Sequence, residues 1–560
     1  MEFQKKVSSL LDIKPAENQF IKQGLKASSE IKSENGAKKY STTGNKFVDN
    51  FASASNFKEP RSYEEVAKDM QTLWASDPKL CVKLAIYLRL ITRKSRIVTK
   101  KIVELDVQRG QGLKNEGIMR MLWLAINKPK TFKVNIPLFI AAGSWKDIIQ
   151  MLSLDLQYHG WENKKLDWNF LYLTISAGLS NLGTTHLVRK YLPTIRTNKN
   201  CKTLESQADT LIGRWLARKF SPKLEKEAAY KAYRKIKSEG VAHEWQQLIS
   251  KQLYNSLNFD LIAGRALALL VSSKFLENHN LTKKYNDWIS SKPTAKFTGY
   301  VFELFAPFDI KHQRLEDYKE RTINAQFAQL VKTSKVNNNS SLLVVRDTSY
   351  SMTAKAIGCN VSADCIAKSM ALYFSEFLTG PFANAFAVFS DKCYLDTWQG
   401  DTPVDKYIND EYSDVGDTNF QSVIDLFIRL KSEGVDEKDF PSGILCISDG
   451  EFSSTGSNKD TNFQLAIKRL RESGFSDEYV NSFKIILWDI PNNFYNYKGK
   501  PKFEDFADAP NFFYMSGYDP SAVTFILEGT KPNPPKNAEE LFLDVMNQEL
   551  LNRVKILHEC

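Results

Sequence analysis

Hydrophobic periodicity changes character near residue 335 of this 560-residue chain, and that change limits its possible folds more than any other feature. From about Ser62 to residue 332, apolar residues recur at helical spacing with almost no strand-like alternation. Ser62-x-x-Glu65 reads as a capping box, followed by a stripe of Val66, Met70, Leu73 and Trp74. Asp77-Pro78 caps and opens the next helix, whose stripe is Leu80, Leu84, Tyr87, Leu88 and Ile91. Gly110/Gly112, Gly143, Gly160, Gly183, Pro193, Ser221-Pro222, Gly240 and Pro293 punctuate the rest into helix pairs with no exact period. That pattern predicts an all-α helical-repeat solenoid. After the polar stretch 335–340, apolar runs at 342–346, 384–389, 443–447, 483–488 and 511–515 alternate with helical stretches near 361–379, 419–433, 461–473 and 519–528. Strand–helix alternation predicts a doubly wound α/β domain with a parallel sheet. The expected division is a polar arm at 1–60, helical repeats at 61–335, an α/β domain at 336–530, and a linker and amphipathic helix at 531–560. That last helix (Leu541, Phe542, Val545, Met546, Leu550, Val554) is expected to pack on its own chain or on a partner.

Charge follows the same division. Residues 336–560 carry 20 Lys and Arg against 33 Asp and Glu, a net −13, which leaves +24 on residues 1–335. A basic part joined to an acidic part points to a polyanion partner for the basic part; plain solubility charge is the alternative. No apolar stretch is long enough to span a bilayer, and the nearest, Leu261 to Ser272, contains Arg265. No signal-peptide core follows Met1-Glu2-Phe3-Gln4-Lys5-Lys6. Seven scattered cysteines without a Cys-x-x-Cys suggest a reducing compartment, the cytoplasm, and neither a zinc site nor a disulfide framework.

The run Leu342 to Arg346 reads as a buried strand, and it ends in Asp347-x-Ser349-x-Ser351. These are oxygen side chains of the kind a hard divalent cation takes. A loop leaving the carboxyl end of a parallel strand is where open α/β sheets bind ligands. Thr418 lies downstream in Gly416-Asp417-Thr418-Asn419-Phe420, and Asp449 ends a second apolar strand, Ile444 to Ser448. Together Asp347, Ser349, Ser351, Thr418 and Asp449 resemble the metal-ion-dependent adhesion site of von Willebrand factor A (vWA) domains. The resemblance implies one Mg²⁺, or Mn²⁺, ligated by Ser349 and Ser351. Asp347 and Asp449 would bind it directly or through water, and Thr418 would join with the state of its loop. One position would stay open for an acidic side chain of a partner protein. The alternatives are a vWA fold that has lost its metal, or an unrelated sheet.

A basic helical region followed by such a domain resembles the TROVE family, which includes the Ro ribonucleoprotein autoantigen. Arg109-Gly110-Gln111-Gly112-Leu113-Lys114-Asn115-Glu116 and Ala142-Gly143-Ser144-Trp145-Lys146-Asp147-Ile148 are similar to two of its turns. Gln111 and Asn115 stand where the family is basic. Residues Glu34 to Asn45 resemble the opening of a less-studied branch with the same layout. The resemblance implies helical repeats that close into a ring and bind single-stranded ends or small structured RNAs. Arg109, Lys114, Lys146, Arg214, Arg218, Lys219, Lys223 and Lys226 are the expected phosphate contacts. Trp145, Trp215 and Tyr230 would be candidates for base stacking, but core packing is their default reading, because they fall near apolar stripes. The alternative for the basic run at 214–237 is a solvated helix face with Glu225 and Glu227 as partners.

No P-loop, Gly-x-Ser-x-Gly or His-Glu-x-x-His string is present, and the six histidines are dispersed. Three functions stay open: an RNA-binding scaffold with a Mg²⁺-dependent partner site, an interaction or structural component of an assembly without RNA, and a metal-dependent hydrolase. The first is expected, so the protein is expected not to be an enzyme.

Overall fold

The structure, a computed structural model, describes residues 62–91, 114–197, 203–239, 243–333, 341–411, 416–453, 462–492 and 543–558 with short breaks, and brief pieces within 30–50 and 512–518. These residues form a helix-rich unit and an α/β unit. Residues 61–262 and 543–560 make one compact unit; residues 1–60 and 263–542 make the other.

The helical unit runs through α1 (Tyr63–Ser76), α2 (Pro78–Ile91), α3 (Lys114–Asn127), α4 (Pro129–Ala142), α5 (Trp145–His159), α6 (Trp168–Ser180), α7 (Thr185–Tyr191), α8 (Leu204–Phe220), α9 (Lys226–Ser238) and α10 (Glu244–Ser250). The capping box forms: the Glu65 N–H donates to Ser62 Oγ at 3.2 Å and the Ser62 N–H to Glu65 Oε2 at 2.7 Å. Asp77 caps α2 by accepting the Leu80 N–H at 2.9 Å. Helix α3 packs on α1, α2, α4 and α5. Buried Arg89 on α2 donates to both oxygens of Asp147 on α5, each at 2.9 Å. Asp147 Oδ2 also accepts the Ser144 N–H at 2.8 Å. A Cβ at Gly143 would lie 2.0 Å from that carboxylate, and one at Gly178 would lie 2.5 Å from the Trp145 ring. The Gly143-Ser144-Trp145-Lys146-Asp147 string is therefore a packing device that locks α5 against α2 and α6.

The α/β unit opens with a small antiparallel pair, β1 (Glu30–Lys32) and β2 (Lys38–Tyr40); the rest of the Glu34 to Asn45 string lies outside the described residues. Then come α11 (Gly264–Ser272), α12 (Phe275–Asn278), α13 (Thr282–Ser290), α14 (Phe302–Lys311) and α15 (Asp317–Thr333). The main sheet follows, with β3 (Leu342–Asp347), β4 (Ala385–Phe389), β5 (Cys393–Thr397), β6 (Gly443–Ser448), β7 (Lys484–Asp489) and β8 (Phe512–Ser516). Its order is β5-β4-β3-β6-β7-β8. All neighbours are parallel except β5, which pairs antiparallel with β4. The sheet is thus mixed where sequence predicted it parallel. The edge strand β5 is largely exposed and carries Asp396, so it shows no apolar run. Interleaved helices are α16 (Ala363–Ser375), α17 (Pro403–Asn409), α18 (Gln421–Ser432), α19 (Asn462–Glu472) and α20 (Asp477–Ser482).

Strands β3 and β6 are buried end to end because helices cover both faces of the sheet. On one face Val344, Leu445 and Trp488 meet Phe305, Phe327 and Phe374 from α14, α15 and α16. On the other, Val345, Phe389 and Ile485 meet Phe420, Phe427 and Phe463. Packing therefore draws 263–333, helical in period, into the sheet's unit, and the compact boundary falls at 262 where periodicity changes at 335. A helix's apolar stripe says that one face is buried, not which core receives it.

The last segment returns to the helical unit. Helix α21 (Glu549–Asn552) packs on α2. Met546, Leu550, Leu551 and Val554 are buried. Lys83 on α2 donates to Met546 O at 2.9 Å and Asn552 Oδ1 at 2.8 Å. In chain order, residues 263–542 of the α/β unit thus fall between two parts of the helical one.

Candidate metal centre

The chain leaves β3 toward β4 on one side, then crosses back to β6 on the other. The carboxyl ends of β3 and β6 therefore flank the point where strand order reverses, the ligand position of open α/β sheets. At the end of β3 the Ser349 N–H donates to Asp347 Oδ1 at 2.8 Å, which turns the chain at once. That turn sets Ser349 Oγ and Ser351 Oγ 3.1 Å apart. At the end of β6, the Ser448 hydroxyl donates to Asp347 Oδ2 at 2.5 Å and accepts the Gly450 N–H at 3.0 Å. Asp449 follows, its Oδ1 accepting the Glu451 N–H at 3.1 Å.

Backbone bonds draw the third loop in. The Tyr350 N–H donates to Gly416 O at 3.3 Å, and the Ser453 N–H to Thr418 O at 2.8 Å. The Asn492 amide, just past β7, donates to Asp449 Oδ2 at 2.8 Å and to Ser351 O at 3.0 Å. Asp347, Ser349, Ser351, Thr418 and Asp449 are thus brought to one end of the sheet, none more than 7% exposed. Ser448 and Asn492 were not among the residues read from sequence. Ser448 carried a signal, a hydroxyl at the end of a strand next to Asp449. Asn492 carried none.

Two buried carboxylates, Asp347 and Asp449, meet here. Burial, then the Asp449 charge, push the Asp347 carboxyl up to about 7, against the opposing hydrogen bonds from Ser448 and Ser349. Arg346 lies on the opposite face of β3 by strand alternation. It donates to Asp364 at 2.6 Å and to both oxygens of Asp410, at 2.9 and 2.8 Å. A divalent cation fits this donor set, with hydroxyls and carboxylates as hard oxygen ligands and a net charge that offsets the pair. Among the described residues no three His, Cys, Asp or Glu side chains gather as a metal site. The hydroxyls would therefore be needed to complete the ligand set.

The expected phosphate contacts separate into groups. Arg218, Lys219, Lys223 and Lys226 are all exposed around the turn from α8 to α9. There Arg218 donates to Leu224 O at 3.3 Å and Lys219 to Asn169 Oδ1 at 2.9 Å. Arg214 is half-buried on α8, and Lys146 is exposed on the first turn of α5. Arg109 lies outside the described residues; Lys114 opens α3, but its side chain is not among those described. Trp145 and Tyr230 are core residues, at 9% and 7% exposure. Trp215 is half-buried, edge-on to Trp168 and Tyr172 with ring centroids at 5.0 and 6.2 Å.

Residues 33–263 match a family described as Domain of unknown function (DUF2828), and residues 341–555 match Domain of unknown function (DUF7788). The first match ends at the packing boundary of the helical unit. No curated protein matches the chain. Among solved structures, the Ro (RSR) protein of Deinococcus radiodurans is similar over 82% of this chain and 90% of its own, at 11% identity and a TM-score of 0.34. BatB from Bacteroides thetaiotaomicron is similar over 34% of this chain and 97% of its own, at 13% identity and a TM-score of 0.23. An aerotolerance-related membrane protein from Bacteroides fragilis is similar over 33% and 96%, at 14% identity and a TM-score of 0.22. Likenesses this distant carry no argument about function. Among the described residues no helix is long and apolar enough to cross a membrane.

Proposed function

We propose that this protein is a non-catalytic scaffold that captures an acidic side chain of a partner protein through a Mg²⁺ (or Mn²⁺) site and carries RNA on its basic helical unit. One observation supports the metal reading above all: burial and the Asp449 charge push the Asp347 carboxyl up to about 7 at the same strand ends where two hydroxyls, Ser349 and Ser351, lie 3.1 Å apart. Ser349 and Ser351 would ligate through neutral oxygens, with Asp347, Asp449 and Thr418 around them. Bound there, the ion would offer an open position to a hard anionic oxygen. Ser448 holds Asp347 in place and Asn492 holds Asp449, so the chain supplies a prearranged ligand set. Histidine is missing from residues 336–543, which leaves the site without a general base of that type and favours capture over water activation. Calorimetry of Mg²⁺ or Mn²⁺ into the chelator-treated full chain should show one site, and Asp347→Ala should remove the heat without changing the circular dichroism. Heat that survives that change would place the ion elsewhere.

The RNA reading is supported by the exposed Arg218, Lys219, Lys223 and Lys226 cluster and by 34 basic against 18 acidic residues in 61–262. Such contacts act on phosphates, so binding should weaken steeply with salt. Charge reversal of Lys223 and Lys226 together should weaken binding of both single-stranded and structured RNA and lower the salt slope by about 2. An unchanged slope would favour a scaffold without RNA. The described cysteines are all free thiols, which fits a cytoplasmic setting.

A further inference from the structure

The end of the chain is held in an unusual way. Asn135 and Thr131 lie one helical turn apart on the buried face of α4, where the apolar pattern leads one to expect aliphatic side chains. Both are spent on the backbone of residues 555–557. The Asn135 amide donates to Lys555 O at 2.6 Å, and the Lys555 N–H donates to Asn135 Oδ1 at 3.0 Å. The Thr131 hydroxyl donates to Leu557 O at 3.1 Å, and the Leu557 N–H donates to Thr131 Oγ1 at 3.1 Å. The second amide hydrogen of Asn135 goes to Thr131 O at 2.8 Å, so both amide hydrogens and the amide oxygen are engaged and the amide's orientation is fixed.

In an extended chain the N–H and C=O of one residue point the same way, and residues two apart share a side. The four bonds therefore describe an extended tail running antiparallel to α4. Spacing explains the fit: four helical residues advance about 6 Å, and two strand residues about 6.7 Å. Burial alternates to match, with Val554 buried, Lys555 exposed, Ile556 half-buried and Leu557 exposed. The gripped residues send their side chains outward. The backbone and the inward Val554 are read, with Ile556 partly covered on the same side.

We propose that the α4 wall is a recognition site for an extended peptide, occupied here in cis by residues 553–558. It takes a backbone of two alternating gripped residues preceded by a branched aliphatic anchor. Main-chain bonds supply attachment and the anchor pocket supplies selectivity, the logic of strand addition carried out by side chains of a helix.

The test uses the full chain shortened after Asn552 and a fluorescein-labelled peptide of residues 553–558. Fluorescence anisotropy should show saturable binding to the shortened chain. Binding to the intact chain should be at least ~10-fold weaker, because the tethered tail competes at high effective concentration. Asn135→Leu in the shortened chain, or Val554→Asp in the peptide, should abolish it. No saturable binding to a shortened chain that keeps its helical circular dichroism would overturn the proposal, and so would equal binding to both chains. Should the shortened chain not fold, hydrogen exchange on the intact chain decides. The Lys555 and Leu557 amides should be protected, and Asn135→Leu should release Lys555 while α4 stays protected. Free exchange of both amides in the unaltered chain would refute the grip, and a light-scattering dimer dissolved by Asn135→Leu would refute occupation in cis.

Discussion

Arg346 and Asp347 are consecutive residues of one strand, both buried, and they face opposite sides of the sheet into opposite electrostatic situations. On the α16 side, Arg346 is bracketed by Asp364 and Asp410, and Lys368 joins Asp410 at 3.8 Å. Charge there is balanced by protein alone. On the other side, Asp347 accepts from the Ser448 hydroxyl and the Ser349 N–H, and burial and the Asp449 charge leave it a carboxyl that resists ionising. Buried charge that is paired internally serves the fold. Buried like charge arranged around neutral oxygens is a standing request for an ion from outside.

The comparison makes opposite predictions for neighbouring substitutions. Arg346→Ala should be the most damaging, because it leaves the buried Asp410 carboxylate with only the more distant Lys368; a loss of about 3 kcal/mol in urea unfolding is expected. Added Mg²⁺ should not rescue it. Asp347→Asn should act with the other sign in metal-free protein. Removing one of the like charges should raise the melting temperature, while the stabilisation that Mg²⁺ gives the unaltered chain should vanish. If both changes destabilise the metal-free chain alike, the contrast between the two faces is wrong.

Asn492→Ala should leave stability nearly unchanged and weaken Mg²⁺ binding by about 10–100-fold, as loss of a residue that orients a ligand does. The smallest effect is on pH. The Asp347 carboxyl titrates higher in the folded than in the unfolded chain. Its contribution to metal-free stability is therefore full at acid pH and declines as pH rises from the ordinary carboxylate range, about 4, to about 7. Proton and metal compete for the same oxygens, so Mg²⁺ stabilisation should grow across the same interval. Thermal melts with and without Mg²⁺ at several pH values would show the two slopes diverge; parallel slopes would detach Asp347 from the metal.

Much of the fold was legible because its signals are local. Four of the five apolar runs lie within a residue or two of buried strands β3, β4, β6 and β7, and Ser62-x-x-Glu65 closes its box within one turn. The metal-site residues could be listed in order because each sits at a strand end or on a short loop. Their supports could not. Ser448 is 101 positions from Asp347, and Asn492 is 141 from Ser351, so no window of sequence contains either pair. Trp145 and Tyr230 are core residues, as their places near apolar stripes led one to expect.

The sequence by itself determined where helices give way to strands, which residues end β3 and β6, and which side of the chain is basic. These follow from spacing, composition and local bonding, which act within a few residues. Tertiary structure alone decided that 263–333 serves the sheet, that Arg346 meets Asp364 and Asp410 while Asp347 meets the Asp449 charge, and that residues 553–558 return to Thr131 and Asn135. Each depends on which surfaces meet after folding, and two segments hundreds of positions apart leave no mark on each other's sequence that periodicity can reveal.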